Sequence, residues 1–177
     1  MDKKEFIEKF ASSESIQKRN QKATEMSSGL VKFDYKQDIP SVDFCEVCLH
    51  PKGRTLNIFE MCTSFDGVDI PELVKDFKNR SSTYFESQKE FGEHCQLILN
   101  LVIPPEPKMI MELGDHLDAL MEIEGIAITV HDPKNDKRGS CPLNKEFFLS
   151  LREDDHYEGM NDADLFTNFM MNFVEML

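Results

Sequence analysis

The sequence contains no uninterrupted apolar run of the roughly 18 to 20 residues that a membrane-spanning helix needs. The charged N-terminus, MDKKEFIEKF, also lacks the apolar stretch of a signal peptide, and we therefore predict a cytoplasmic protein with no membrane partner. Phosphate loops (GxxxxGK), dinucleotide fingerprints (GxGxxG) and nucleophile elbows (GxSxG) are missing, and the 8 glycines are not clustered. These absences lower the expectation of catalysis, and we predict neither catalytic residues nor a cofactor.

Positive charge is scarce. The chain has 20 Lys and Arg against 33 Asp and Glu, a net charge of −13. The imbalance is uneven, because residues 1–36 carry a net charge of +2 while residues 146–177 carry one arginine and eight acidic residues, a net of −7. An acidic chain repels phosphate backbones, so we expect no direct binding of nucleic acid. The same charge would attract a protein with a basic surface.

Cysteine is present in an odd number, 5, which argues against a disulfide scaffold. Cys45 and Cys48 lie in the segment FCEVCLH, which raises the question of a metal or redox site. A structural zinc site usually needs a second ligand pair, and the chain has no other CxxC, HxxxH or CxxH. On a regular strand, Cys45 and Cys48 would face opposite sides. We predict free thiols that pack like small hydrophobic groups, with no metal bound.

Hydrophobic periodicity predicts one α+β domain over residues 1–177 with a mixed sheet. Residues 1–30 could form a loosely attached helical segment, because the second predicted helix, IQKRNQKATEM, is strongly polar. A β-hairpin or meander follows, with residues 41–64 as its clearest pair of strands. A regular register would put the following side chains on compatible faces: Val42, Phe44, Leu56 and Ile58.

The second half of the chain predicts a β-α-β unit over about residues 96–131, formed by two buried strands around an amphipathic helix. His131 and Asp132 follow the second strand, where α/β sheets often place ligands. The segment HDPKNDKRGSCP is predicted to be a loop and KEFFLSL a strand. A C-terminal helix, DADLFTNFMMNFVEML, begins at a cap formed by Asn161 or Asp162.

Asp43 and Glu60 fall on consecutive predicted strands, within the order helix, several strands, helix, strand. This order resembles the core of the PD-(D/E)xK nuclease superfamily, in which an Asp on one strand and a Glu-x-Lys on the next hold a divalent cation. Two positions after Glu60 stands Cys62 instead of lysine. The resemblance implies, as an alternative function, a metal-dependent nuclease-like hydrolase with a degenerate site.

The acidic C-terminal region carries our leading prediction, a non-catalytic interaction module that binds a basic partner protein. An inhibitor, an immunity-type protein or a phage-encoded counter-defence factor would fit this description. A small-ligand pocket between the sheet and the Phe- and Met-rich last helix is a third possibility. The predicted partner-binding residues are Glu153, Asp154, Asp155, Glu158, Asp162 and Asp164.

Overall fold

A six-stranded sheet whose strand order follows the chain organises the fold. The structure is a computed structural model that describes residues 1–36, 43–88 and 95–177. The strands are β1 (Lys32–Lys36), β2 (Phe44–His50), β3 (Gly53–Met61), β4 (Cys95–Ile103), β5 (Ile126–Asp132) and β6 (Lys137–Pro142). The helices within the described residues are α1 (Lys3–Ala11), α2 (Glu14–Met26), α3 (Ile70–Gln88), α4 (Pro107–Gly114), α5 (Leu117–Met121), α6 (Lys145–Arg152) and α7 (Asp162–Met176), with a 3₁₀ turn at Asp155–Tyr157.

The sheet is mixed, as predicted. Strands β1, β2 and β3 form an antiparallel meander, which confirms the predicted hairpin. Strands β3, β4 and β5 are parallel, and β6 returns antiparallel to β5. The predicted β-α-β unit is confirmed as β4, α4, α5 and β5. Parallel pairing brings the carboxyl ends of β3, β4 and β5 to one edge of the sheet, where sheets of this kind commonly place ligands.

The meander has a different register from the predicted one. Phe44 pairs with Phe59, and Cys45 pairs with Ile58. Phe44 and Ile58 therefore lie on opposite faces of the sheet, because side chains alternate along a strand. Val42 lies outside the described residues.

The two faces of the sheet carry two separate hydrophobic clusters, and alternate residues of β4 divide between them. Leu101 and Ile103 belong to the larger cluster, which α3, α4, α5 and α7 cover. Val102 belongs to the smaller cluster on the other face. α7 packs against α4, which confirms the predicted C-terminal helix, and the Asn161 side chain caps it by accepting a hydrogen bond from the Asp164 backbone N–H.

The smaller cluster joins α1 to the sheet. Phe6 and Phe10 of α1 are both 1% exposed and pack with aromatic residues of β2 and β3. Asp136, after β5, accepts hydrogen bonds from the Ser13 hydroxyl at 2.6 Å and the Ser15 backbone N–H at 2.9 Å. Residues 1–30 thus include two helices; aromatic packing anchors the first, and hydrogen bonds to Asp136 anchor the start of the second.

Two local predictions are wrong. KEFFLSL is helix α6, because the Asn144 side chain accepts a hydrogen bond from the Phe147 backbone N–H and starts a helix that buries Phe148. The predicted loop HDPKNDKRGSCP contains β6, which pairs with β5 across the turn. Polar side chains are compatible with an edge strand, which needs apolar residues on only one face. Within the described residues, no helix combines the length and apolar character that crossing a membrane requires.

Candidate functional site

The predicted acidic surface lies on the segment that joins α6 to α7, and all six of its carboxylate residues are exposed. The segment is locally ordered by its own side chains. Asp154 accepts a hydrogen bond from the His156 backbone N–H, and Asp162 forms an ion pair with Arg152. The carboxylates of three residues face water, because they make no hydrogen bond or ion pair with another described residue: Glu153, Asp155 and Glu158.

A hollow of about 400 Å³ extends this acidic surface toward α4 and α5. Its lining includes Asp162 together with Asp115 and Asp118, which are exposed. Gly114, which also lines the hollow, lets α7 approach α4 closely; a Cβ atom there would lie 2.7 Å from the Thr167 hydroxyl oxygen. Sequence reasoning missed Asp115 and Asp118, since they lie more than forty positions away from Asp162 along the chain.

Asp43 and Glu60 form a second cluster at the carboxyl edge of the parallel strands. Asp43 directly precedes β2 and Glu60 lies near the end of β3, so the register that pairs Phe44 with Phe59 brings the two carboxyl groups together. Asp43 accepts a hydrogen bond from the Met61 backbone N–H at 2.9 Å. The structure therefore confirms the predicted element order, and the strand register brings Asp43 and Glu60 together.

Two cations from distant parts of the chain form ion pairs with these two carboxylates. Lys3 of α1 lies 3.3 Å from the Asp43 carboxylate. Arg80 of α3 donates to the Glu60 carboxylate at 2.6 Å. Cys62, at the position where the resemblance would require lysine, donates a weak hydrogen bond to the Ser64 carbonyl oxygen instead. Burial raises the pKa of the Cys62 thiol and so favours its neutral form, whereas a lysine at this position would supply a positive charge.

Glu60 has a strongly altered protonation equilibrium. Burial and the negative charge of Asp43 together raise its pKa from 4.5 to about 7, against the opposing effect of Arg80. Only 14% of its side chain is exposed. The carboxyl group is thus divided between its neutral and charged forms near neutral pH.

The cysteines of FCEVCLH behave as predicted from strand geometry. Both lie on β2, where Cys45 is fully buried in the larger cluster and Cys48 is partly exposed. Both are free thiols, as are Cys62 and Cys141. Within the described residues, no group of three or more His, Cys, Asp or Glu side chains could hold a metal ion.

His131 is buried, although it lies at the end of a strand, where α/β sheets often bind ligands. It is 1% exposed and packs between the rings of Phe6 and Phe10, with centroids 5.3 and 5.2 Å away. Neither ring nitrogen makes a hydrogen bond of normal geometry to a described residue. Burial, with a smaller contribution from the charge of Arg138, lowers the pKa of His131 to about 4. Its role is therefore one of packing.

Comparison with protein-family models, with curated proteins and with solved structures gave no match for this chain.

The metal-dependent hydrolase stays the alternative prediction, and calorimetry with Mg²⁺ or Mn²⁺ tests it. If a cation binds between Asp43 and Glu60, Asp43→Ala should abolish the heat of binding. Asp43→Asn is the control for folding, because an amide oxygen can still accept the hydrogen bond from Met61. Asp76→Ala, which removes a carboxylate from the rim of the neighbouring cavity, should keep the binding. Absence of divalent-ion binding to the wild-type protein would contradict this alternative.

Proposed function

We propose that this protein is a non-catalytic interaction module whose acidic surface, residues 153–164 with the adjoining hollow, binds a basic partner protein. An inhibitor, an immunity-type protein or a counter-defence protein would act in this way. The observation that carries the proposal is the exposure of all six predicted carboxylates on one short segment. Their only cation partner among the described residues is Arg152, which pairs with Asp162.

The local structure favours recognition of basic side chains. The 3₁₀ turn and the start of α7 hold the backbone of the segment in place through the Asp154 and Asn161 caps. A carboxylate on an ordered backbone loses less conformational entropy on binding than one on a flexible chain. The hollow rimmed by Asp115, Asp118 and Asp162 offers a concave acidic site for a lysine or arginine side chain.

Electrostatics also determines what kind of partner fits. A net charge of −13 attracts a basic protein over distances beyond direct contact and accelerates association. The attraction is screened over about 8 to 10 Å at physiological salt. Salt dependence of the association rate is therefore the direct measure of this mechanism.

We consider a triple variant, Glu153→Gln, Asp155→Asn and Glu158→Gln. It removes three exposed charges and keeps Asp154 and Asn161, whose side chains cap the 3₁₀ turn and α7. With the partner identified by affinity purification and mass spectrometry, the association rate constant of the wild-type protein should fall about tenfold or more between low and physiological salt. The triple variant should associate about tenfold more slowly at low salt. Stopped-flow fluorescence or surface plasmon resonance measures both rates.

The matched control is Glu72→Gln, Glu124→Gln and Glu175→Gln, three exposed glutamates elsewhere. This variant has the same net charge as the first one, so it separates the acidic surface from overall charge. An association rate that does not depend on salt, or equal effects of the two triple variants, would contradict the proposal.

A further inference from the structure

A cavity of about 300 Å³ lies at the carboxyl ends of β3 and β4, beside α3. Its lining includes the apolar side chains of Leu73, Phe77 and Leu101. It also includes two cations, Lys3 from α1 and Arg80 from α3. Ligand pockets commonly combine apolar walls with a few polar groups that fix orientation, and their volumes begin at about 300 Å³. The predicted pocket against the last helix is a different place, because α7 contributes nothing to this lining.

Arg80 is the side chain of this cavity best suited to bind an anion, and it already forms an ion pair with the carboxylate of Glu60. Its guanidinium donates at 2.6 Å to Glu60, whose side chain also lines the cavity. Guanidinium groups bind carboxylates through parallel hydrogen bonds, and 45% of the Arg80 side chain is exposed. A carboxylate that enters from solvent can therefore reach the same nitrogen atoms.

We propose that this cavity binds a small organic monocarboxylate with an apolar body, whose carboxylate replaces that of Glu60 at Arg80. The apolar body of the ligand lies against Leu73, Phe77 and Leu101. This site is separate from the acidic surface and goes beyond the proposed function.

The charges around the cavity favour a single negative charge on the ligand. Lys3 forms an ion pair with Asp43 at 3.3 Å, and Asp76 lines the cavity together with Arg80. Because Lys3 is already paired with Asp43, the second charge of a phosphate dianion would find no cation partner here, and Asp76 would repel it. An apolar amine would meet the guanidinium of Arg80 and the ammonium of Lys3.

The experiment titrates hexanoate into the wild-type protein, Glu60→Gln and Arg80→Gln, with calorimetry or NMR chemical shifts as the readout. Glu60→Gln removes the competing charge, so it should bind hexanoate at least tenfold more tightly than the wild-type protein. Arg80→Gln should bind at least tenfold more weakly. Hexylamine and hexyl phosphate, tested in parallel, should bind Glu60→Gln more weakly than hexanoate does.

The matched control is Glu122→Gln, which frees Lys78, another cation of α3, from an ion pair of 3.0 Å outside the cavity. It should leave hexanoate affinity unchanged. Thermal melts of each variant establish that it is folded. Failure of folded Glu60→Gln to bind hexanoate in the millimolar range would overturn the proposal, as would tighter binding of hexyl phosphate or hexylamine. Mg²⁺ binding to the wild-type protein that Glu60→Gln abolishes would overturn it in favour of the metal site.

Discussion

The free energy of unfolding of Glu60→Gln should exceed that of the wild-type protein by an increasing margin as pH rises, with a gain of about 3 kcal/mol between pH 4.5 and 7. The reason is the raised pKa of Glu60, about 7 in the folded protein against 4.5 when the group is hydrated. Between these values the unfolded chain has released the proton and the folded protein retains it. The wild-type protein therefore loses stability as pH rises through this window, and glutamine, which does not titrate, removes the loss.

His131→Phe should show the opposite trend. The pKa of His131 is lowered from 6.5 to about 4 by burial, with Arg138 adding to the effect. Between these values the unfolded chain binds a proton that the folded protein excludes. The wild-type protein therefore loses about 3 kcal/mol as pH falls from 6.5 to 4, and this loss is absent from the variant. In the wild-type protein the two groups oppose each other between about pH 4.5 and 6.5.

Urea denaturation of each variant at half-unit pH steps from 4 to 7.5 measures these differences. Glu72→Gln and His156→Gln are the controls, because both side chains are exposed and hydrated in the folded and unfolded states. Their difference from the wild-type protein should stay nearly constant across the range. A constant difference for Glu60→Gln as well would contradict the burial of its carboxyl group.

Phe10→Ala should destabilise the protein by about 3–5 kcal/mol, the largest effect we expect from a single side chain of α1. Phe10 is 1% exposed and packs against Phe59 at 4.9 Å and Phe44 at 5.6 Å between ring centroids. The guanidinium of Arg138 lies 3.3 Å above its ring and also donates a hydrogen bond to the Phe10 carbonyl oxygen. Truncation removes the ring contacts and the cation–π interaction together.

Chemical denaturation gives the change in unfolding free energy, and limited proteolysis reports whether α1 separates from the sheet. Cleavage of Phe10→Ala should begin within residues 1–30 before the rest of the chain is attacked. Met26→Ala is the control, since 78% of Met26 is exposed at the end of α2; it should change stability by less than about 0.5 kcal/mol. A loss below 1 kcal/mol for Phe10→Ala would show that α1 contributes little to the fold.

Local patterns were sufficient to predict the elements with strong signals. The buried strands around residues 97–130 are continuous apolar runs, and α7 begins at an Asn161 cap that the sequence displays. The prediction failed where polar residues form an edge strand, as in β6, and where a capping asparagine turns an apolar segment into a helix, as in α6. In both cases the deciding interaction involves a neighbour that periodicity does not identify.

The candidate sites show the same limit. The acidic segment could be identified from the sequence alone, because its residues lie within twelve consecutive positions, 153–164. Asp43 and Glu60 could be assigned to consecutive strands from the sequence, but it is the register of those strands that brings them together. Their cation partners could not be predicted, because Lys3 and Arg80 reach the pair from helices on opposite faces of the sheet. The burial of His131 was missed for the same reason, since α1 covers it from the other end of the chain.

The contact between Phe10 and Arg138 has a consequence for how the chain is made. The two residues are 128 positions apart, so at about 5–20 residues per second a ribosome needs roughly 6–25 seconds to reach the second after the first. During that interval β2 and β3, which carry Phe44 and Phe59, are already made, but the ring of Phe10 still lacks the Arg138 guanidinium that covers it. The amino-terminal helix should therefore complete its docking on the sheet only after β6 has been translated.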